Sequence, residues 1–329
     1  MPANLPPQYF EVEKKYREAR TLQEKIAILK ELLAIIPKHK GTEKLQAELK
    51  TKISRLQKEA REKPKTARRD SLFHPKREGA AQVVIIGPPN SGKSKLLSSL
   101  TRAIPEVAPY PFTTQIPSVG MMDFEDIKIQ MVDTPPITEE HIAYWQIDII
   151  RNADLVLLVV DASSDEAVEN IEQIVRRLRN SKIELITGEE GELSVIGPIK
   201  KKTIVVTNKM DLREAQENLP IIKEFYGEKF PIVSISAERG DSLQDLKKTI
   251  FNELDIIRVY TKSPGKPPDM KDPLILKTGN TVLDAARSIH KDFEKNLKYA
   301  RLWGSSKFPG QRVERNYVLK DKDIIEFHI

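Results

Sequence analysis

The feature that most restricts how this chain can fold is the octapeptide Gly87-Pro88-Pro89-Asn90-Ser91-Gly92-Lys93-Ser94. It matches the pattern G-x-x-x-x-G-K-S, it follows the apolar run Val83–Ile86, and it opens a segment with helical spacing. A glycine-rich loop between a strand and a helix wraps phosphate oxygens in backbone N–H groups. The pattern predicts that Lys93 reaches the β- and γ-phosphates of a nucleotide, that Ser94 ligates Mg²⁺, and that Lys95 belongs to the same site.

Between residue 80 and residue 256, short apolar segments alternate with amphipathic ones, which is typical of β-α-β units around a parallel sheet. The predicted strands are Val83–Ile86, Ile127–Val132, Asp154–Val160, Thr203–Thr207 and Ile232–Ile235, with Val119–Met122 as an antiparallel edge. The predicted helices are Lys93–Arg102, Ile142–Arg151, Ala167–Arg179, Glu214–Tyr226 and Leu243–Glu253. Asp133 follows a strand where a Walker-B aspartate holds Mg²⁺, directly or through a water.

A second motif, Asn208-Lys209-Met210-Asp211, also follows a predicted strand and points to guanine. The Asp211 carboxylate can accept hydrogen bonds from N1–H and the exocyclic amine of guanine, a donor pair that adenine lacks. We expect Asn208 to brace the loop and the Lys209 stem to pack over the base. After the next strand, a backbone N–H of Ser236-Ala237 is expected to meet the guanine O6.

The pattern predicts three domains, with boundaries at residues 1–79, 80–256 and 257–329. Residues 8–60 have helical spacing broken at Pro37–Gly41, and Thr21 with Glu24 forms a capping box, so a helical hairpin is expected there. It either holds RNA or packs on the next domain, and a basic linker follows over residues 61–79. Beyond residue 257, the order β-β-α-β-β, with a helix capped by Thr281, predicts a β-grasp fold.

Charge is divided unevenly along the chain. The net charge is about +9 over residues 1–80, about −8 over 81–254 and about +5 over 255–329. Basic ends around an acidic middle indicate contact with a polyanion, nucleic acid before a membrane surface, or else a lysine-rich solvated helix surface.

The chain contains no cysteine, which excludes disulfides, thiolate zinc sites and a thiol nucleophile, and fits a reducing, cytoplasmic setting. We find no signal peptide pattern in Met1–Phe10 and no apolar run of about 18 residues, so no membrane association is expected.

Together these motifs resemble those of the Obg branch of translation-linked GTPases, and most closely the DRG proteins. The segment Tyr110–Pro117 is similar to the family's switch I, in which Thr114 ligates Mg²⁺ when GTP is bound. The stretches Ser288–Phe293, Lys298–Gly304 and Phe308–Val313 are similar to the family's TGS domain, and Ile36–Glu43 to its N-terminal helical segment. The resemblance implies a Ras-like P-loop GTPase domain between a helical hairpin and a β-grasp TGS domain. It also implies a slow GTPase switch that acts on the ribosome or RNA.

Several positions depart from the family pattern. The family motif D-x-P-G reads Asp133-Thr134-Pro135-Pro136 here, and proline lacks the N–H that the family's glycine donates to the γ-phosphate. Ile137 stands where Ras-like enzymes place a water-orienting glutamine, which Obg-type proteins also lack. Asn90 is similar to the asparagine of potassium-stimulated GTPases; it either binds near K⁺ or only shapes the loop.

These departures leave the function open between two classes. One is a GTPase in which Lys93, Thr114 and Asn90 take part in hydrolysis, and the other is a GTP-binding regulatory scaffold with little turnover. An ATPase is a weaker third reading, because the guanine motif is intact. The chain has no room for the extra subdomain of eukaryotic DRG proteins, and residues 187–202 are expected to form a short loop with a basic end.

Overall fold

The computed structural model describes residues 22–37, 46–47, 49–54, 73–101, 116–188 and 197–328, and the single positions Pro6, Val12 and Thr42. The chain divides into two compact units between residues 74 and 75. In the first unit, helix α1 spans Leu22–Ile35, and residues 46–47 and 49–54 are helical. Both helical segments contribute to one buried apolar cluster, which contains Leu29, Leu32, Ile36, Leu49 and Ile53. The predicted cap at Thr21 and the linker residues 61–72 lie outside the described residues.

The described part of the second unit contains a seven-stranded sheet. Its strands are β1 (Gln82–Ile86), β2 (Ser118–Phe124), β3 (Ile127–Asp133), β4 (Leu155–Asp161), β5 (Ile183–Ile186), β6 (Ile199–Asn208) and β7 (Ile232–Ser234). Their order is β2-β3-β1-β4-β6, and both β5 and β7 pair with β6. The pairs are parallel, apart from the antiparallel pair of β2 and β3. The apolar runs of β1 and β4 are buried because helices cover both faces of the sheet.

Five helices of the described residues cover this sheet: α2 (Lys93–Leu100), α3 (Tyr144–Asn152), α4 (Ala167–Asn180), α5 (Arg213–Tyr226) and α6 (Leu243–Glu253). Residues of α3, α4 and α5 share one apolar layer, and residues of α2 and α6 share the other. The carboxyl ends of β1, β3, β4 and β6 therefore meet at one edge, where open α/β sheets bind their ligands.

A smaller mixed sheet follows, built from β8 (Ile256–Thr261), β9 (Leu274–Lys277), β10 (Tyr299–Trp303), β11 (Gln311–Val313) and β12 (Asp323–His328). Its order is β11-β10-β12-β8-β9, with β8 and β12 parallel. Helices α7 (Val282–Ile289) and α8 (Lys291–Asn296) lie between β9 and β10 in the chain, and α7 packs Val282, Ala285 and Ala286 into the core under the sheet. The predicted Ras-like and β-grasp folds are both confirmed.

The sequence did not predict β5, α8 and β11. Each has only three to six residues, which is too short for an apolar spacing to stand out. The loop expected over residues 187–202 is wrong at its basic end, because Ile199–Lys202 form the start of β6 and pair with β5. Within this strand, Lys201 Nζ donates to the Ala153 carbonyl at 2.7 Å. The three consecutive lysines therefore belong to a strand and not to a loop. None of the helices among the described residues has the length and apolar character that a membrane crossing requires.

Candidate nucleotide-binding site

The loop between β1 and α2 has the tight path that a phosphate-binding loop needs. Gly92 has a φ of +88°, and a Cβ there would lie 2.3 Å from Asn208 Nδ2. At Gly87 a Cβ would lie 2.2 Å from the Val159 carbonyl oxygen of β4. Both positions therefore exclude side chains for steric reasons. Within the loop, Pro88 and Ser91 are buried, whereas Pro89 and Asn90 are exposed.

Lys93 lies inside this loop with only 6% of its surface exposed. Its Nζ donates to the carbonyl oxygens of Gly87 at 3.2 Å and Pro88 at 2.7 Å, and lies 3.4 Å from Ser91 Oγ. Burial lowers the pKa of Lys93 to about 8, although the nearby Asp133 charge acts in the opposite direction. A phosphate in the loop would supply the negative charge that this buried ammonium lacks.

Ser94 and Asp133 meet at the edge of the sheet, where a metal site is predicted. Ser94 Oγ donates to Asp133 Oδ2 at 2.6 Å. Asp133 Oδ1 is buried and has no hydrogen-bond partner among the described residues, and burial raises the pKa of this carboxyl. A hydroxyl beside a carboxylate with an unpaired buried oxygen is a donor set that fits Mg²⁺. The third predicted ligand, Thr114, lies outside the described residues.

Asn208 links the phosphate loop to the guanine motif. It is 2% exposed, its Nδ2 donates to the Ser91 carbonyl at 2.9 Å, and its Oδ1 accepts from the Ala237 N–H at 3.0 Å. The side chain thus ties the P-loop to the loop after β7, which is the bracing expected from the sequence. Since Ala237 N–H is donated to Asn208 here, its contact with guanine O6 stays a prediction.

Asp211 and Ser236 lie together on the base-reading side. Ser236 Oγ donates to Asp211 Oδ1 at 2.6 Å, and this bond is the main cause that lowers the pKa of Asp211. An ionised carboxylate accepts hydrogen bonds and donates none, so the group has the chemistry to read N1–H and the exocyclic amine of guanine.

Lys209 pairs with a residue that the sequence analysis did not assign to the site. Its Nζ lies 2.5 Å from Asp161 Oδ2 at the end of β4. Asp161 Oδ1 accepts from the backbone and hydroxyl of Ser163. Burial raises the pKa of Asp161, but the bonds from Lys209 and Ser163 outweigh it, so the pKa falls. The signal was available, because Asp161 follows an apolar strand as Asp133 does.

The segment after Asp133 is tied to the protein core. Thr134 donates its N–H and Oγ to the Ile85 carbonyl, and the Ile137 N–H donates to the Gly87 carbonyl at 3.1 Å. The Ile137 side chain is 1% exposed and packs in the apolar core. Gln146, also missed by the sequence analysis, donates to the Pro135 carbonyl at 2.9 Å. Pro135 and Pro136 have no N–H, and the N–H groups of Thr134 and Ile137 are donated to Ile85 and Gly87. This segment therefore offers a nucleotide no unused backbone N–H donor.

These groups surround an open cleft of about 500 Å³. The lining residues come from the P-loop, the start of β2 and the segment after β3, and they are Asn90, Gly92, Lys93, Ser94, Lys95, Ile116, Ser118, Asp133, Thr134, Pro135 and Pro136. Lys95 lies 3.0 Å from Glu238 in an exposed ion pair, so its contact with nucleotide stays a prediction. The volume lies in the range of pockets that hold cofactors.

Known protein families match both the P-loop domain and the C-terminal domain of this chain. Residues 82–189 match the family described as 50S ribosome-binding GTPase, and residues 257–329 match the TGS domain. An uncharacterized GTP-binding protein of Methanocaldococcus jannaschii is 30% identical, over 92% of each chain. The developmentally-regulated GTP-binding protein 2 homolog of Dictyostelium discoideum is 28% identical, over 92% of this chain and 98% of its own.

A solved GTP binding protein from Pyrococcus horikoshii aligns with 75% of this chain and 99% of its own, at 18% identity and a TM-score of 0.48. The matches to these two relatives each cover 92% of this chain, so they include the P-loop domain and the C-terminal domain together. This protein therefore belongs to the DRG-like family of Obg-type GTP-binding proteins, with a GTPase domain followed by a C-terminal TGS domain.

Proposed function

We propose that this protein binds GTP and GDP with Mg²⁺ in the cleft between the P-loop and the segment after β3. The observation that carries the proposal is the double hydrogen bond of Asn208, at 2.9 Å to Ser91 and 3.0 Å to Ala237. It holds the phosphate loop and the base-reading loop together as one preorganised site. Ser94 and Asp133 would hold the metal ion, which would neutralise phosphate charge, and Thr114 would join them in the GTP-bound state.

We infer that the protein hydrolyses GTP slowly without a partner. The Ile137 side chain is buried and its N–H is donated to Gly87, so this residue does not orient an attacking water. Pro136 has no N–H for the γ-phosphate. Among the described residues, the side chain left to stabilise transferred charge is Lys93, and a positioned cation or partner residue would have to supply the rest.

A single-turnover assay tests this inference. GTP with Mg²⁺ is incubated with the protein in potassium or sodium buffer, with and without ribosomes. We expect slow hydrolysis that rises with ribosomes. Asn90 lines the cleft with a φ of +58°, and it is the residue through which K⁺ would act. An Asn90→Ser variant should remove any potassium stimulation, whereas equal rates in both salts would show that Asn90 only shapes the loop.

The competing function is a GTP-binding regulatory scaffold, and the anchored Pro136 segment favours it. The same assay separates the two. If bound GTP decays only at its uncatalysed rate, even with ribosomes and potassium present, the scaffold is the correct function.

We further propose that the protein acts on the ribosome or RNA through its TGS domain. An open cleft of about 580 Å³ on that domain is lined by three basic side chains and one ring, those of Lys298, Arg312, Arg315 and Tyr299. The Arg312 guanidinium lies 4.1 Å from the centroid of the Tyr299 ring, and the cleft has one carboxylate, Glu314. Clustered cations beside a stacked ring suit phosphates and bases of RNA.

Co-sedimentation with ribosomes tests the partner. With about three phosphate contacts, we expect binding to fall roughly 10- to 50-fold as salt rises from about 50 to 200 mM. A double Arg312→Glu, Arg315→Glu variant should lose most of the binding. A Lys271→Glu variant, changed on the exposed loop between β8 and β9, serves as the control. If wild-type protein binds neither ribosomes nor RNA in any nucleotide state, the proposed role in translation is wrong. Cytoplasmic location follows from this role and stays a prediction.

A further inference from the structure

The β2–β3 hairpin joins the candidate nucleotide site to the TGS domain. At one end of the hairpin Ser118 pairs with Asp133, beside the predicted metal site. At the other end Phe124 pairs with Ile127, and Glu125 and Asp126 form the turn. At about 3.3 Å per residue, the two ends lie roughly 20 Å apart. The strand pair is continuous between them, so the hairpin physically links the two ends.

The turn is held by a buried arginine of the TGS domain. Arg258 of β8 has a side chain that is 2% exposed. Its Nη1 donates to Glu125 Oε2 at 2.6 Å and to Asp126 Oδ1 at 2.6 Å. Its Nε and Nη2 donate to the two oxygens of Asp321, just before β12, at 3.0 Å and 2.6 Å. One guanidinium thus connects the hairpin turn with two strands of the TGS sheet.

Further contacts fasten the same turn. Tyr260 Oη donates to Asp126 Oδ2 at 2.6 Å, and Lys322 Nζ lies 2.9 Å from Glu125 Oε2. The Phe124 ring stacks on Phe251 at 4.8 Å. We call Glu125, Asp126, Arg258, Tyr260, Asp321 and Lys322 the hairpin-tip network. Charge-assisted bonds to a buried guanidinium depend steeply on geometry. The network therefore stabilises one position of the hairpin and weakens when the hairpin is displaced.

We propose that the hairpin-tip network couples the nucleotide state of the cleft to the TGS domain. The proposal rests on the nucleotide binding proposed above. The hairpin begins just after the segment similar to switch I and ends at Asp133, so both strands start next to residues predicted to bind Mg²⁺ and phosphate. The segment after Asp133 is anchored to Ile85, Gly87 and Gln146, whereas the hairpin extends from the metal site to the TGS domain. Coupling of this kind is reciprocal, so a ligand on the TGS domain changes the affinity for nucleotide.

Hydrogen exchange of the full-length protein tests the coupling. Exchange is measured with Mg²⁺ and GDP, and with Mg²⁺ and a non-hydrolysable GTP analogue. We expect β8 and residues 318–323 to exchange at rates that differ about fivefold or more between the two nucleotides. Nucleotide binding is titrated on the same samples. If no nucleotide binds, the proposed function is wrong; if both bind and the TGS domain exchanges identically, the coupling is wrong.

Variants separate coupling from simple structural support. Asp126→Asn keeps the shape of the side chain but removes the charge that Arg258 and Tyr260 bind. We expect it to change the ratio of GTP-analogue to GDP affinity about fivefold or more and to abolish the exchange difference. Tyr260→Phe removes one bond of the network and should reduce the difference. Asp123→Asn removes a charge from the same hairpin without touching the network, so it should behave as wild type.

A structural role alone would lower stability equally in all nucleotide states and leave that affinity ratio unchanged. A ratio within twofold of wild type in Asp126→Asn would therefore overturn the proposal. The same holds if Asp123→Asn alters the ratio as much as Asp126→Asn does.

Discussion

The Asp211 carboxylate accepts a hydrogen bond from Ser236 Oγ at 2.6 Å, which leaves its other oxygen for a ligand. We expect Asp211→Asn to weaken GDP binding about 10- to 100-fold, because guanine's exocyclic amine would then face an amide donor. Xanthine presents an acceptor at that position, so the variant should prefer xanthosine diphosphate. Titration of both nucleotides against wild type and the surface variant Asp245→Asn checks this. A variant that still prefers GDP would show that Asp211 does not read the base.

The lowered pKa of Lys93 predicts proton uptake when nucleotide binds. With a pKa of about 8 in the free protein, Lys93 is largely deprotonated at pH 8.5. A bound phosphate would raise this pKa, because an opposite charge favours the charged amine. We expect GDP binding to take up about 0.7 proton at pH 8.5 and about 0.1 at pH 7. Calorimetry in two buffers of different ionisation enthalpy measures this. Equal uptake at both pH values would contradict the assignment to Lys93.

The same shift has a defined sign for stability. The folded-state pKa of Lys93 lies below its unfolded value of 10.5, so the charged lysine destabilises the free protein. That penalty is fully present below pH 8 and is relieved as the pH rises from 8 towards 10.5.

At the scale of elements, strongly apolar strands were predictable and polar ones were not. β1 and β4 are buried on both faces, so their composition alone located them and the motifs that follow them. The start of β6 contains three lysines, and two of them bind distant partners: Lys201 binds the Ala153 carbonyl and Lys202 binds Asp255. Pairing with β5 is a long-range contact that local spacing does not encode. The position of Asp161 at a strand end was visible in the sequence, but its pairing with Lys209 was not, since 48 residues separate the two.

The capping box of α7 was predictable, because it is local. Asp284 N–H donates to Thr281 Oγ1 at 3.4 Å, and Thr281 N–H donates to Asp284 Oδ2 at 2.9 Å. We expect Thr281→Ala to lower the free energy of unfolding by about 1 kcal/mol, because the helix loses its N-terminal acceptor. Thr281→Ser should retain most of it. Chemical denaturation measures both, and a loss in the serine variant equal to that in alanine would show that the methyl group matters more than the hydroxyl.

At the scale of the whole GTPase–TGS unit, Arg258 binds carboxylates of both domains, so the stability of both domains in acid depends on it. Burial raises the pKa of Asp321, but the hydrogen bonds and charge of Arg258 outweigh it, so this pKa lies below its usual value. Hydrogen bonds lower the pKa of Glu125, and against the effect of burial they also lower that of Asp126. A lowered carboxyl pKa contributes stability above the unfolded value near 4, and that stability is lost as the pH falls through the folded value.

Removing one of these charges should therefore lower the free energy of unfolding more at neutral pH than in acid. We expect Asp321→Asn to lower the free energy of unfolding by about 1–2 kcal/mol at pH 7, since a partly solvated charged bond to Arg258 is lost. Near pH 3 the difference from wild type should shrink, because the pH then lies below the unfolded value and part of the stability from the ionised Asp321 is lost. Denaturation between pH 7 and pH 3 measures the difference, with the exposed Asp272→Asn as control. A difference that stays constant with pH would mean that packing, not charge, holds Asp321 against Arg258.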